Sequence, residues 1–224
     1  MAIAKPKPFP LLPAVLGRSR LVQNLAVVLA VNWLMQGMRG MQRKELGFRL
    51  LLEGGVAALF FAPLTAAGLD PPLALIVAPV LAHTAGFLFN GQLWVCMRYA
   101  TFWRRDPAAL DAFLGQTAAR LRGLGWLAEA FCIGSLGAGG HAGPRSDIDL
   151  RLVFPPGPGG WIRTNLLLLE LRSRALFRGI PLDLYAYDDL APLARLRPGE
   201  GVTLLCDRRA RLARAFADRP VIRR

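Results

Sequence analysis

Asp147 and Asp149 stand one residue apart in the segment Ser146-Asp147-Ile148-Asp149-Leu150-Arg151-Leu152-Val153-Phe154, and a third acidic residue, Asp183, lies in Ile180-Pro181-Leu182-Asp183-Leu184-Tyr185-Ala186-Tyr187. Both segments read as strands, 147–154 and 180–187. Side chains alternate along a strand, so Asp147 and Asp149 share one face and Ile148, Leu150 and Leu152 take the buried one. In the later strand, Asp183 shares a face with Tyr185, and Leu182 and Leu184 take the other. If the two strands are neighbours, the three carboxylates converge. Such a cluster repels itself unless cations neutralise it, and hard oxygen donors at this density select magnesium or manganese. Metal held in this way can bind a triphosphate, lower the pKa of an attacking hydroxyl and stabilise a leaving pyrophosphate.

A second chemical feature precedes these strands. Glu129 to Ile133 reads as a strand and runs directly into Gly134-Ser135-Leu136-Gly137-Ala138-Gly139-Gly140-His141-Ala142-Gly143-Pro144-Arg145-Ser146. Glycine lets the backbone approach a phosphate, and a serine hydroxyl with the N–H groups of a following turn can donate to its oxygens. No Gly-Lys-Ser/Thr follows, so this is not a Walker loop, and it is not the dinucleotide Gly-x-Gly-x-x-Gly fingerprint. The positioning elements are equally legible. Asp106-Pro107 is an N-cap and first-turn pair, and Leu110, Phe113, Leu114, Leu121 and Leu124 repeat at helical spacing up to Gly123 and Gly125. Pro155 to Gly160 is a loop, and Trp161 to Arg178 a helix whose leucines point to a core.

An apolar residue, Gly-Ser, about ten further residues, then Asp-apolar-Asp-apolar, with an acidic residue on a later strand, resembles the DNA polymerase beta superfamily of nucleotidyltransferases, in particular its minimal members. Ile133-Gly134-Ser135 and Ser146-Asp147-Ile148-Asp149-Leu150 carry the resemblance, and Asp183 falls where the third carboxylate is expected. It covers roughly residues 106 to 217. The resemblance implies an α+β domain with a palm-like sheet, metal ligation and catalysis by Asp147, Asp149 and Asp183, nucleotide contacts by Gly134 and Ser135 together with the Arg145-Ser146 end of the loop, and transfer of a nucleoside monophosphate to a hydroxyl-type acceptor. Minimal members often continue Gly-Ser with Ala-Arg-Gly, whereas this chain has Leu136-Gly137-Ala138-Gly139-Gly140. Two readings are therefore open for His141 and Arg145, as a substitute basic contact or as solvated loop residues.

The remainder of the chain is of another kind. Residues 50 to 97 carry almost no charge, and everything after Trp103 is dense in arginine and aspartate, which divides the 224 residues into a membrane-associated helical region, 1–104, and the transferase-like domain, 105–224. Two apolar runs, about 50–69 and 72–97, are each long enough to span a bilayer, and Asp70-Pro71-Pro72 breaks the chain between them, so a transmembrane hairpin is expected. Gly54, Gly55, Ala58, Ala66, Ala85 and Gly86 suit close helix approach. Glu53 is expected to snorkel towards an interface and His83 to be a hydrogen-bonded packing residue. Leu21 to Met38 sets Asn24, Asn32 and Gln36 at multiples of four, which suits a helix lying in the interface, about 21–38; a third span is the competing reading. The whole region read as a soluble hairpin packed on the second domain is the alternative to any membrane role.

The net charge of +13 does not by itself indicate nucleic acid, because Arg18, Arg20, Arg39, Arg43, Lys44 and Arg49 precede the apolar stretch and Arg98, Arg104 and Arg105 follow it. That distribution fits an anionic membrane face, and by the positive-inside rule a multi-pass protein of the cell membrane with both termini and the catalytic domain cytoplasmic. Arg208, Arg209, Arg211 and Arg214 read as a basic terminal helix with a solvated or lipid-facing surface. Cys96, Cys132 and Cys206 have no metal-ligand spacing and are expected to be buried thiols, and no secretory signal is expected in the first twenty residues. The partners implied are a nucleoside triphosphate, membrane lipid and an acceptor that the sequence does not name. A non-catalytic membrane adaptor built on a degenerate transferase fold is the competing class of function, and an enzyme with a protein or tRNA acceptor the third reading.

Overall fold

The computed structural model describes residues 3, 6, 7, 9, 14–17, 19–138, 140–191, 196 and 199–224. Gly139 of the glycine-rich loop is thus outside the described residues. Helices come first: α1 (Ala14–Gly17), α2 (Leu25–Met35), α3 (Arg43–Ala66), α4 (Pro71–Phe89) and α5 (Gln92–Met97). They are followed by α6 (Pro107–Arg122), β1 (Glu129–Ile133), β2 (Ile148–Val153), α7 (Pro158–Arg178), β3 (Leu182–Tyr187), β4 (Val202–Asp207), α8 (Arg211–Ala215) and β5 (Val221–Arg223). The architecture is α+β, a mixed five-stranded sheet in the order β3-β2-β1-β4-β5 with two long apolar helices beside it.

Binary patterning accounts for the sheet. Ala130 and Cys132 of β1, Ile148, Leu150 and Leu152 of β2, and Leu182, Leu184 and Ala186 of β3 form one buried layer against Leu110, Phe113, Leu114, Ala118 and Leu121 of α6 and Leu167, Leu168, Leu171 and Ala175 of α7. Asp106 caps α6 as its sequence requires, its carboxylate accepting from Ala108 N at 3.0 Å. On the opposite face, Phe131 and Ile133 of β1 and Val202 and Leu204 of β4 are covered by Leu212 and Phe216 from and just beyond α8. That cover reaches Tyr187 at the end of β3 and leaves Asp149, Arg151, Asp183 and Tyr185 of β2 and β3 outside it. The expected basic terminal helix is only the five residues of α8. Its neighbourhood is pinned by Arg208, which donates to the carbonyls of Leu127, Arg122 and Leu124, so that guanidinium closes a loop of the fold.

The helices α3 and α4, 24 and 19 residues long, are both long and apolar enough to cross a membrane. They expose Leu59, Leu75 and Ile76 at 74%, 67% and 66% of their surface, far more apolar surface than scattered exposed leucines supply. They pack through Ala74, Ala78 and Ala82 on one face of α4, a small-residue stripe at i, i+4 spacing. Of the glycines expected to make that approach, Gly54 and Gly55 do not, since a side chain there would meet nothing within 4 Å, whereas one at Gly86 would meet Gln36 Oε1 at 3.3 Å.

The second apolar run is not one helix to Met97. It ends at Phe89, where Asn90 and a left-handed Gly91 (φ 72°) turn the chain into α5, which packs on β3 and sends Trp94 Nε1 to the Leu176 carbonyl at 2.8 Å. The reason is local, because a glycine with positive φ breaks a helical run whose hydropathy alone continues. Nor does Glu53 reach for an interface. His83 Nδ1 lies 2.6 Å from Glu53 Oε1, and His83 Nε2 lies 2.8 Å from the Trp33 carbonyl, so the histidine ties α2, α3 and α4 together as a packing residue. The polar stripe of α2 is likewise turned inward: Gln36 is buried and donates to the His83 carbonyl at 2.6 Å, while Asn32 accepts from Lys7 Nζ at 2.9 Å.

The first turns of α3 are docked on the edge of the sheet. Glu45 is buried, its Oε1 2.6 Å from Arg172 Nη2 of α7 and its Oε2 accepting from Ala186 N of β3 at 3.0 Å. The edge strand thus finds a partner for an N–H that would otherwise be unpaired. Arg172 completes the knot by donating to Leu184 O at 2.5 Å and Asn90 Oδ1 at 3.3 Å.

Candidate active site

Strands β2 and β3 are parallel neighbours, and their register sets Asp149 directly beside Asp183. The two carboxyl groups share a hydrogen bond. Asp147 precedes β2 by one residue on the same face and is engaged by Arg98, from the end of α5, in an ion pair. Arg151, two residues beyond Asp149, completes the row. Its Nη2 stands 3.1 Å from Asp183 Oδ2 and 3.8 Å from Asp149 Oδ1, its Nη1 donates to Asp183 O at 2.8 Å, and the guanidinium lies 4.8 Å from the centre of the Tyr185 ring. Among the described residues no three His, Cys, Asp or Glu side chains are grouped as a ready metal site. Two arginines instead neutralise part of the acidic charge.

Electrostatics separate the paired carboxyls. Burial, and then the charges of Asp147 and Asp183, push Asp149 up to about 8. Burial pushes Asp183 in the same direction, but the Arg151 guanidinium and hydrogen bonds from Asp149, Arg151 and Tyr185 hold it below the ordinary carboxylate value. At neutral pH the pair therefore keeps one proton, carried mainly by Asp149. A divalent cation would replace that proton at the same oxygens, and its affinity should accordingly rise about tenfold per pH unit below pH 8 and level off above it. Titrating magnesium against the full chain at several pH values checks this.

Gly134 closes the site from the side of β1. It has φ +73°, and a methyl group there would stand 2.5 Å from Asp149 Oδ2, so two separate demands exclude a side chain. Gly134→Ala is expected to destabilise the chain by about 1–3 kcal/mol and to push Asp149 off its register with Asp183, as thermal unfolding and magnesium affinity would report. Ser135 follows in a single 3-10 turn, Gly134–Leu136. Its Oγ is buried with no hydrogen-bond partner, and a buried hydroxyl without a partner is rare in folded proteins. The residue borders the same cleft as the aspartates.

The cleft has a volume of about 760 Å³, and Gly134, Ser135, Arg145, Ser146, Asp147, Asp149 and Asp183 all line it. Arg145 borders the cleft while donating to Thr101 O at 3.1 Å, whereas His141 is exposed and does not line it. The Ser146 hydroxyl accepts from Gly143 N at 2.8 Å and so shapes the loop. The other wall comes from the chain before residue 104: Lys7, Asn32, Gly37, Gln92, Val95, Arg98 and Tyr99. Gly37 and Gly40 let the loop after α2 lie on Tyr185, where a methyl group on either would come within 2.9 Å of that ring or its hydroxyl.

Sequence reasoning missed Tyr185, Arg98 and Lys7 as residues of the cleft, and Arg151 as the partner of its carboxylates. Period two from Asp149 was signal enough for Arg151, and period two from Asp183 for Tyr185. No local pattern marks Arg98 or Lys7, which arrive by tertiary contact alone.

Comparison with known proteins returns no match: no family model fits the chain, and no curated protein and no solved structure is similar to it. Function has to be read from the cleft itself. Asp149 and Asp183 offer hard oxygens of the kind a divalent cation takes, from adjacent strands that compete for one proton, with Asp147 on the same face.

Proposed function

We propose that this chain is a membrane-anchored, metal-dependent nucleotidyltransferase that moves a nucleoside monophosphate from a nucleoside triphosphate to a hydroxyl-type acceptor. The observation that carries the reading is the register of Asp149 with Asp183 beside the unpartnered, buried hydroxyl of Ser135. One side of the cleft is acidic where a cation would sit, and the adjoining turn offers a hydroxyl and backbone N–H groups where phosphate oxygens would sit. The mixed sheet, with helices on one face and the carboxylates on the other, suits a palm-like transferase domain.

In this mechanism Asp149, Asp183 and Asp147 hold magnesium or manganese, which when bound offsets triphosphate charge and makes the acceptor hydroxyl more acidic. Gly134 and Ser135 hold the phosphates, and Arg145 at the loop end adds positive charge. The acceptor oxygen forms a bond to the α-phosphorus as the bond from that phosphorus to the bridging oxygen breaks. Pyrophosphate leaves with the bonding electrons, and the hydroxyl proton passes to the Asp149–Asp183 pair. Arg151 orients that pair from beneath through Asp183, and Arg98, paired with Asp147, would add positive charge beside the phosphates.

The hairpin of α3 and α4 serves as the anchor, with the basic flanks and both termini on the cytoplasmic side. Anchoring raises the local concentration of an acceptor confined to that surface. The test is pyrophosphate release by the full chain in lipid nanodiscs, with magnesium and each of the four ribonucleoside triphosphates in turn. Release that requires the metal is expected for at least one of them, and none with any of the four overturns the reading. One observation favours the adaptor alternative, namely that Arg98 and Arg151 already neutralise two of the three aspartates. That alternative predicts nucleotide binding without turnover.

A further inference from the structure

The acidic and basic walls of the cleft come from different parts of the chain. The aspartates belong to the sheet, whereas Lys7, Asn32, Gln92, Arg98 and Tyr99 belong to the N-terminal segment, α2, α5 and the residue pair that follows α5. Lys7 is deliberately held. Its backbone is clamped to Gln23 from both sides, Lys7 N donating to Gln23 Oε1 and Gln23 Nε2 donating to Lys7 O, each at 2.8 Å. Ile3 bridges to Ala100 and so lays the segment against the end of α5. The ammonium group donates to Asn32 Oδ1 at 2.9 Å and stands 5.3 Å from the centre of the Tyr99 ring. Among the described residues no carboxylate lies within ion-pair distance of it. Asp183 acts on it only through space, and a half-buried cation so weakly compensated costs desolvation that a bound anion would return.

The helix that presents Asn32 to this cation also faces the anchor. Trp33, the next residue, donates to Thr84 Oγ1 of α4 at 3.1 Å and packs edge-on against His83, while Leu34 points outward at 62% exposure. One helix, about 10 Å across, therefore separates Lys7 from the apolar surface of α4. A ligand whose phosphate meets Lys7 and Asn32 can keep its acyl chains against the hairpin.

On the basis of the transferase reading, we infer that the Lys7–Asn32–Tyr99 wall is the acceptor subsite and that the acceptor is a phosphate-bearing membrane lipid with a hydroxylated headgroup. The triphosphate has its own place on the far side of the cleft, at Gly134 and Ser135. Arg98 also lines the cleft and would add positive charge there. The bilayer supplies the acceptor laterally, and only the nucleotide enters from water.

The experiment uses the full chain in nanodiscs of phosphatidylcholine alone or with phosphatidylglycerol, which carries a phosphate and free hydroxyls. Lipid binding is read by native mass spectrometry and turnover by pyrophosphate release. Phosphatidylglycerol should bind in preference to phosphatidylcholine and raise release about tenfold, and glycerol 3-phosphate, the same chemistry without acyl chains, should not substitute for it. Lys7→Gln should weaken phosphatidylglycerol binding about tenfold. Release that is indifferent to phosphatidylglycerol, or equal stimulation by glycerol 3-phosphate, overturns the inference and leaves the transferase reading standing. A Lys7→Gln chain whose nucleotide affinity falls as far as its lipid affinity hands the subsite to the triphosphate, which also overturns it. If no triphosphate is cleaved under any condition, the transferase reading falls alone, and Lys7-dependent lipid binding still supports a headgroup site.

Discussion

Asp149→Asn is expected to lower pyrophosphate release by at least about a thousandfold, because it removes a hard anionic donor and the proton acceptor at one stroke. The same change should make the protein more stable. Asp149 is pushed up to about 8 from an ordinary value of 3.8, so the fold prefers its protonated form. The stability this gives is complete below the ordinary value and is lost as pH climbs through about 8. Wild-type protein without metal should therefore melt at progressively lower temperature from pH 5 to pH 9, and the asparagine variant should not share that decline. At the alkaline end the variant should gain about 1–3 kcal/mol. Magnesium should raise the melting temperature of the wild type at pH 8 and leave the variant nearly unmoved, since only a ligand that prefers the folded state stabilises it. An asparagine variant that keeps release within tenfold of wild type would remove Asp149 from the chemistry.

Arg172→Ala should be the most damaging change away from the cleft. Arg172 is 6% exposed and Glu45 1% exposed, and among the described residues the arginine is that carboxylate's one ion-pair partner. Truncating it leaves a buried charge, the Leu184 carbonyl and the Asn90 side chain short of a donor, at a cost of about 3–5 kcal/mol. Replacing both partners, as Glu45→Gln with Arg172→Met, should cost less than the single change, because no uncompensated charge remains. Thermal and urea unfolding of the two variants in detergent make the comparison. Equal losses would mean that the ion pair itself, and not the stranded carboxylate, holds α3 to the sheet.

The features legible in the sequence were those governed by local period. Alternation in 129–133, 147–154 and 180–187 gave three of the five strands and set Asp149 and Asp183 on one face, and Asp106-Pro107 marked the start of α6. Strands β4 and β5 escaped notice. Val202 to Cys206 is mostly apolar and buried on both sides, Thr203 included, so it has no sustained alternation to read, and Val221 to Arg223 is only three residues long. Hydropathy carried the second apolar run through Asn90-Gly91 because it does not register a backbone turn. No local pattern singles out Glu45, and its burial depends on Arg172, 127 positions away. Pairings at that separation leave no trace in a window of a dozen residues.

The docking of α3 on β3 fixes a length scale. Glu45 grips the strand that carries Asp183 only two turns before Leu50, Leu51 and Leu52 turn outward, and the helix is unbroken between them. With no swivel in that connection, the proposed anchor would hold the cleft at a set height above the lipid, like a reading head over a disc. A molecule whose reactive group stands on a long stalk would pass overhead, and one lying flush with the surface would arrive in reach.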